Sequence, residues 1–105
     1  MTFQCISIDE AIELIATERI IIVDVRDQSS FQQGRIAGAQ LLNNNTLGDF
    51  IASADTTHPV IVYCYHGHSS QGAAQFLSEQ GFDTVYSLDG GFEEWRQQQP
   101  VDNDQ

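Results

Sequence analysis

The sequence predicts an α/β domain with a mainly parallel sheet and helices on both faces, and three observations carry that prediction. Short apolar, β-branched runs alternate with segments of helical periodicity along the chain. Two runs, Ile20 to Val25 and Val60 to Tyr63, are nearly continuous in apolar residues, as a strand covered on both faces requires. Clusters of Gly, Pro, Asn and Asp separate the segments. With no repeat or linker in view, residues 1–105 read as one domain, long enough to bury a single core.

The elements follow in order. Phe3 to Ile6 is a short edge strand; Cys5, lying within it, reads as structural. Ser7-Ile8-Asp9-Glu10 has the pattern of a capping box, and Ile8, Ala11, Ile12 and Ile15 give the helix that follows one apolar face, ending near Thr17-Glu18. After the Ile20–Val25 strand, Arg26 to Gly34 suits a loop and a brief helix with Asp27 as cap and Gly34 as stop. Ile36 to Leu42 is a weaker strand interrupted by Gly38, and Asn43 to Thr46 turns into a short helix burying Leu47, Phe50 and Ile51. His58-Pro59 leads into the Val60–Tyr63 strand. Gln71 to Gln80 is helical, with Ala73, Phe76 and Leu77 on the apolar side and Gly81 closing it. Thr84 to Leu88 is the last strand. Asp89-Gly90-Gly91 turns into a helix opening at Phe92-Glu-Glu-Trp95 that fades before Pro100, and residues 101–105 are expected to form a loose polar tail.

The chemistry concentrates between the strand ending at Tyr63 and the helix after Ser70. In open parallel sheets, ligands sit beyond the carboxyl ends of the strands. Cys64 falls there, and so do Asp24-Val25-Arg26 and Asp89-Gly90-Gly91, which are expected to share that rim. The loop Tyr65-His66-Gly67-His68-Ser69-Ser70 then runs into a helix N-terminus, where free amides and the helix dipole favour a thiolate or a bound anion. Cys64 is therefore read as a nucleophile. Ser69 and Ser70 can donate to the sulfur or to an anion, or cap the helix. His66 and His68 are the loop's groups able to gain positive charge near neutral pH, or else exposed side chains with no part in the chemistry.

Composition limits what such a site serves. A 41% hydrophobic and 18% charged chain is that of an ordinary globular protein, and no apolar run approaches the length of a membrane span. The first residues, Met1-Thr-Phe-Gln-Cys-Ile-Ser, lack the basic segment and apolar core of a secretory signal. Two cysteines far apart form no Cys-x-x-Cys pair, so reduced thiols and a cytoplasmic location are expected. The net charge of −11, from fifteen acids and four arginines, argues against nucleic acid and repels small anions at long range. Cys64-x-His66-x-His68 faces one way only if extended, and Gly67 in a tight turn opposes that, so no metal is expected. Cysteine phosphatases carry arginine six residues after the nucleophile; here that residue is Ser70, so phosphate ester chemistry is disfavoured.

Ile22-Val-Asp-Val-Arg26-Asp, Phe31 to Ala39, the Cys64 loop and Leu88-Asp-Gly-Gly91-Phe-Glu-Glu-Trp95 together resemble the rhodanese family, in order and over nearly the whole chain. The likeness is greatest to its small single-domain thiosulfate sulfurtransferases. The resemblance implies a five-stranded parallel sheet and a Cys64 persulfide formed from thiosulfate with release of sulfite. It also implies sulfur transfer to cyanide, or to a dithiol protein such as thioredoxin, with no metal or organic cofactor. By the same likeness, Tyr65 to Ser69 cradle the persulfide, with Ser70 closing that loop, and Arg26 is structural, pairing with a neighbouring acid. The sequence departs from the family in having neither Arg nor Lys in the loop, His at position 68, and Arg where His is common at position 35. Weak capture of thiosulfate is the expectation that follows.

Overall fold

The computed structural model describes residues 2–104. Five strands, β1 (Gln4–Ile6), β2 (Ile21–Asp24), β3 (Gln40–Leu41), β4 (Val60–Tyr63) and β5 (Val85–Leu88), form one sheet in the order β1-β5-β4-β2-β3. Every pairing is parallel, with Ile22 opposite Ile61 and Val62 opposite Ser87 at the centre. The helices are α1 (Ile8–Thr17), α2 (Gln28–Gln33), α3 (Leu47–Ser53), α4 (Ser69–Glu79) and α5 (Gly91–Gln98).

Strand alternation divides the apolar residues into two cores. Ile61 and Tyr63 point to the side where Ile8 and Ala11 of α1 meet Phe92 and Trp95 of α5. Val60 and Val62 point the other way, against Phe50 of α3 and Ala74 and Leu77 of α4. All four residues of β4 are fully buried, so burying this strand removes apolar surface from water on both sides. The capping box forms, the Glu10 amide donating to Ser7 Oγ and the Ser7 amide to Glu10 Oε1. Asp27 caps α2 by accepting from the Ser30 amide.

Several expectations are corrected. Helix α4 starts at Ser69 rather than Gln71, and its buried stripe is Ser70, Ala74, Leu77 and Ser78, leaving Phe76 exposed. The stripe keeps helical spacing, but half of it is serine, which apolar periodicity does not flag. Strand β3 keeps only two residues, because Gly38 adopts a left-handed φ of 82° and turns the chain before it. Cys5 is exposed on its edge strand rather than packed. The C-terminal residues expected to be loose are hydrogen-bonded as far as Asp104: Arg35 and Asp102 exchange two backbone bonds, and the Asp104 amide donates to the Gln32 carbonyl. Arg35 also forms an ion pair with Asp104 at 2.7 Å and lies over the Phe31 ring, so its cation serves the terminus. Among the described residues no helix is long and apolar enough to cross a membrane.

Candidate active site

Cys64 is the first residue after β4, where the chain leaves the sheet. The last β4 carbonyl, that of Tyr63, still accepts from the Val25 amide at 3.0 Å. The chain then curls back within the next five residues to enter α4, so its amides close around the sulfur. The Gly67 amide donates to Cys64 Sγ at 3.2 Å and the Ser70 amide at 3.3 Å, and Ser70 Oγ lies 3.5 Å away. Burial alone would push this thiol up. The Ser70 hydroxyl, followed by the amides of Ser70, Gly67 and His66, outweighs burial and holds Cys64 below the usual thiol range. Of the two roles open to Ser70 from sequence, donor to the sulfur or helix cap, the structure favours the first, beside the backbone dipoles. Neither serine caps the helix; His68 occupies the cap position without a side-chain bond.

The loop holds this shape because α5 grips its outer side. The Phe92 amide donates to the Cys64 carbonyl at 2.8 Å and the Glu93 amide to the Tyr65 carbonyl at 3.0 Å. Gln71 Nε2 donates to the Gly67 carbonyl at 3.0 Å. With the carbonyls engaged outward, the amides face the sulfur. Such a close approach requires glycine at two places. A Cβ on Gly67 (φ 93°) would stand 3.1 Å from the Gly90 nitrogen, and one on Gly91 (φ 58°) would stand 2.5 Å from the carbonyl oxygens of Cys64 and Tyr65. Sequence reasoning placed Gly90-Gly91 in a turn on the Cys64 rim but not against the loop backbone; two adjacent glycines ahead of a helix were the signal for that contact. Asp89, expected on the same rim, does not line the cavity. Its amide donates to the Ile6 carbonyl. Partial burial, then the Asp89 charge and hydrogen bond, push the Cys5 thiol up, opposite to Cys64.

Cys64 is only 6% exposed, yet it lines a cavity of about 280 Å³ together with Val25, Arg26, Asp27 and the side of the loop bearing Tyr65, His66, His68 and Ser69. Ser70 is fully buried behind the sulfur instead. Tyr65 ties the loop to α2 through its hydroxyl, which donates to Ser30 Oγ at 2.8 Å. Arg26 brings no free cation to the cavity. Its Nε and Nη2 donate to the Asp24 carboxylate at 3.0 and 2.6 Å, and Nη2 also donates to the Gly34 carbonyl at 2.6 Å. The guanidinium packs over the Phe92, Tyr65 and Tyr63 rings at 4.2, 5.0 and 5.5 Å. Tyr63 completes this network, donating to Asp24 Oδ2 at 2.7 Å and accepting from the Ile36 amide at 3.2 Å. Burial, reinforced by Asp24, drives the phenol pKa far up, so it remains a donor. Asp24 and Tyr63 thus brace the rim from below, a role that their place in apolar strands hides. Among the described residues no three histidine, cysteine or carboxylate side chains gather as a metal site needs.

Comparison with known proteins agrees with this geometry. A family model described as rhodanese-like domain matches residues 7–98. Over 82 residues the chain is 61% identical to a protein of Stutzerimonas stutzeri named thiosulfate sulfurtransferase GlpE, covering 78% of this chain and 75% of that one. It is 50% identical over 96 residues to the protein of the same name from Shewanella oneidensis, covering 91% and 95%. The solution structure of a rhodanese-like domain from Anabaena superposes with a TM-score of 0.85 at 23% identity, over 98% of this chain and 80% of that one, a likeness of fold alone.

Proposed function

The chain belongs to the rhodanese-like domain family, and from that premise we propose that it is a thiosulfate sulfurtransferase carrying sulfur on Cys64. The observation that bears most weight is an ionisable sulfur that accepts from the Gly67 and Ser70 amides and lies 3.5 Å from the buried Ser70 hydroxyl while lining an open cavity. In the first displacement the Cys64 thiolate attacks the outer sulfur of thiosulfate. A new S–S bond forms, the old one breaks, and sulfite leaves with the bonding pair. In the second, a thiophile attacks the terminal sulfur and Cys64 departs as thiolate. Cyanide gives thiocyanate in this way; a dithiol protein such as thioredoxin is the acceptor suited to a reducing cytoplasm. Both displacements need the same property, a sulfur stable as an anion, because Cys64 is nucleophile in one and leaving group in the other.

The loop residues divide the work. The amides of His66, Gly67 and Ser70 stabilise negative charge on sulfur without a cationic side chain. Tyr65, His66, His68 and Ser69 shape the entrance that thiosulfate and the acceptor use. Arg26, neutralised by Asp24, holds the rim and does not touch the substrate. No step calls for a metal or organic cofactor, and the acidic surface offers nothing to nucleic acid. The deciding experiment is intact mass spectrometry after incubation with thiosulfate. The native protein and Cys5→Ser should gain one sulfur atom and Cys64→Ser none. A Cys64→Ser protein that still gains sulfur, or a native protein that gains none, overturns the proposal.

A further inference from the structure

Behind the reacting sulfur lies a second hydroxyl to which the chemistry above assigns nothing. Ser87, on β5, is fully buried, and its Oγ lies 2.8 Å from Ser70 Oγ, itself 3.5 Å from Cys64 Sγ. The two hydroxyls are fully buried behind the sulfur, whereas Arg26, Asp27, Tyr65, His66 and His68 line the cavity with Cys64. Cys5, opposite Ser87 on β1, interacts with Asp89, the residue that follows β5. A serine hydroxyl carries one proton, so Ser70 donates to a single partner at a time. With Cys64 protonated, its S–H donates to Ser70 Oγ and the Ser70 hydroxyl turns to Ser87 Oγ. With Cys64 ionised, Sγ can only accept, so the chain can reverse, the Ser70 hydroxyl donating to the thiolate and Ser87 to Ser70 Oγ.

We propose that Ser87 is a positioning residue for sulfur transfer: it occupies the Ser70 oxygen as a donor and thereby aims the Ser70 proton at the Cys64 thiolate. The inference rests on Cys64 being the sulfur carrier. Its consequence is confined to the states in which Sγ bears charge, the attacking thiolate and the departing one. In the persulfide the charge sits on the terminal sulfur, which the two-serine chain does not reach through Sγ. Ser87 is also the only one of these residues supplied by β5, so the thiol is tuned from the strand next to its own as well as from its loop.

The test is the pH dependence of Cys64 alkylation by iodoacetamide in a Cys5→Ser background, for Ser87→Ala, Ser70→Ala and the double variant. At pH values below the thiol midpoint the rate follows the thiolate fraction. Losing the Ser70 bond should slow alkylation there about tenfold, the effect of one hydrogen bond to a charged group. Loss of its orientation in Ser87→Ala should slow it about threefold, with the alkaline plateau kept or slightly raised as the sulfur becomes more basic. Once Ser70 is alanine, Ser87→Ala should change nothing further, a dependence that general loosening of the core does not produce. Ser87→Thr, which keeps the hydroxyl on a strand suited to a β-branched residue, should react as the Cys5→Ser parent does. A Ser87→Ala protein as fast as the parent at acidic pH, or one whose loss adds in full to that of Ser70→Ala, overturns the role of Ser87. Failure of sulfur loading from thiosulfate in the native protein would instead strike the sulfurtransferase reading, which alkylation does not measure.

Discussion

Replacing Gly91 by alanine tests whether α5 shapes the sulfur loop. The new Cβ would stand 2.5 Å from the carbonyl oxygens of Cys64 and Tyr65, both main-chain atoms that cannot rotate away. Gly91 also sits at φ 58°, so the residue must leave a left-handed conformation or bear its strain. The strain costs about 1–2 kcal/mol. Parting α5 from the loop weakens two backbone hydrogen bonds, Phe92 to Cys64 and Glu93 to Tyr65, at about 1 kcal/mol each. The sum is about 3–4 kcal/mol, a large share of the roughly 5–15 kcal/mol that holds a domain folded. In urea the unfolding midpoint should fall by about 2 M. Cys64 alkylation at acidic pH should slow as well, because the freed carbonyls no longer keep the amides turned toward the sulfur. Gly72→Ala is the control: an added Cβ there meets nothing within 4 Å, and alanine within α4 should stabilise by about 1 kcal/mol. A Gly91→Ala protein that unfolds at the native urea concentration and keeps its acidic-side reactivity would refute the argument.

Three further outcomes are expected. Asp24→Asn leaves the Arg26 guanidinium buried without its counter-charge, which should cost about 3–5 kcal/mol and lower the melting temperature by roughly 15 °C or more; a calorimetric melt within a few degrees of native contradicts this. Because folding depresses the Cys64 pKa, its ionisation favours the folded state. The extra stability of the native protein over Cys64→Ser should be absent below the folded midpoint, grow as pH rises through it, and level off above the unfolded value of about 8.5. Urea unfolding of both proteins across that range reads it, and a difference that shrinks with rising pH has the wrong sign. With a net charge of −11 and Arg26 already paired, thiosulfate should bind weakly, with a Michaelis constant that falls as ionic strength rises toward about 0.15 M. Saturation below micromolar thiosulfate, or a constant that rises with salt, points to a local cation.

The sequence by itself determined the class of fold and singled out Cys64 as the candidate nucleophile. Short β-branched runs bounded by turn residues favour strands, a capping box marks where a helix starts, and a cysteine between a strand and a glycine-bearing loop before a helix suggests a tuned thiol. Those signals are local, each contained within about ten residues. Tertiary structure alone decided which distant residues support that tuning. Ser87 stands 23 residues beyond Cys64 in sequence and reaches it only because β5 lies beside β4, while Gly91 touches the loop only once α5 has folded back. Asp24 and Tyr63 likewise meet across neighbouring strands, 39 residues apart, and look apolar-bound in sequence because their neighbours are. Phe76 shows the converse, an aromatic at helical spacing left in solvent because two serines took the inner stripe. Hydropathy reports what a side chain prefers as an isolated group. A polar atom with its partner already in place obeys the partner instead, and that partner is named only by the folded chain.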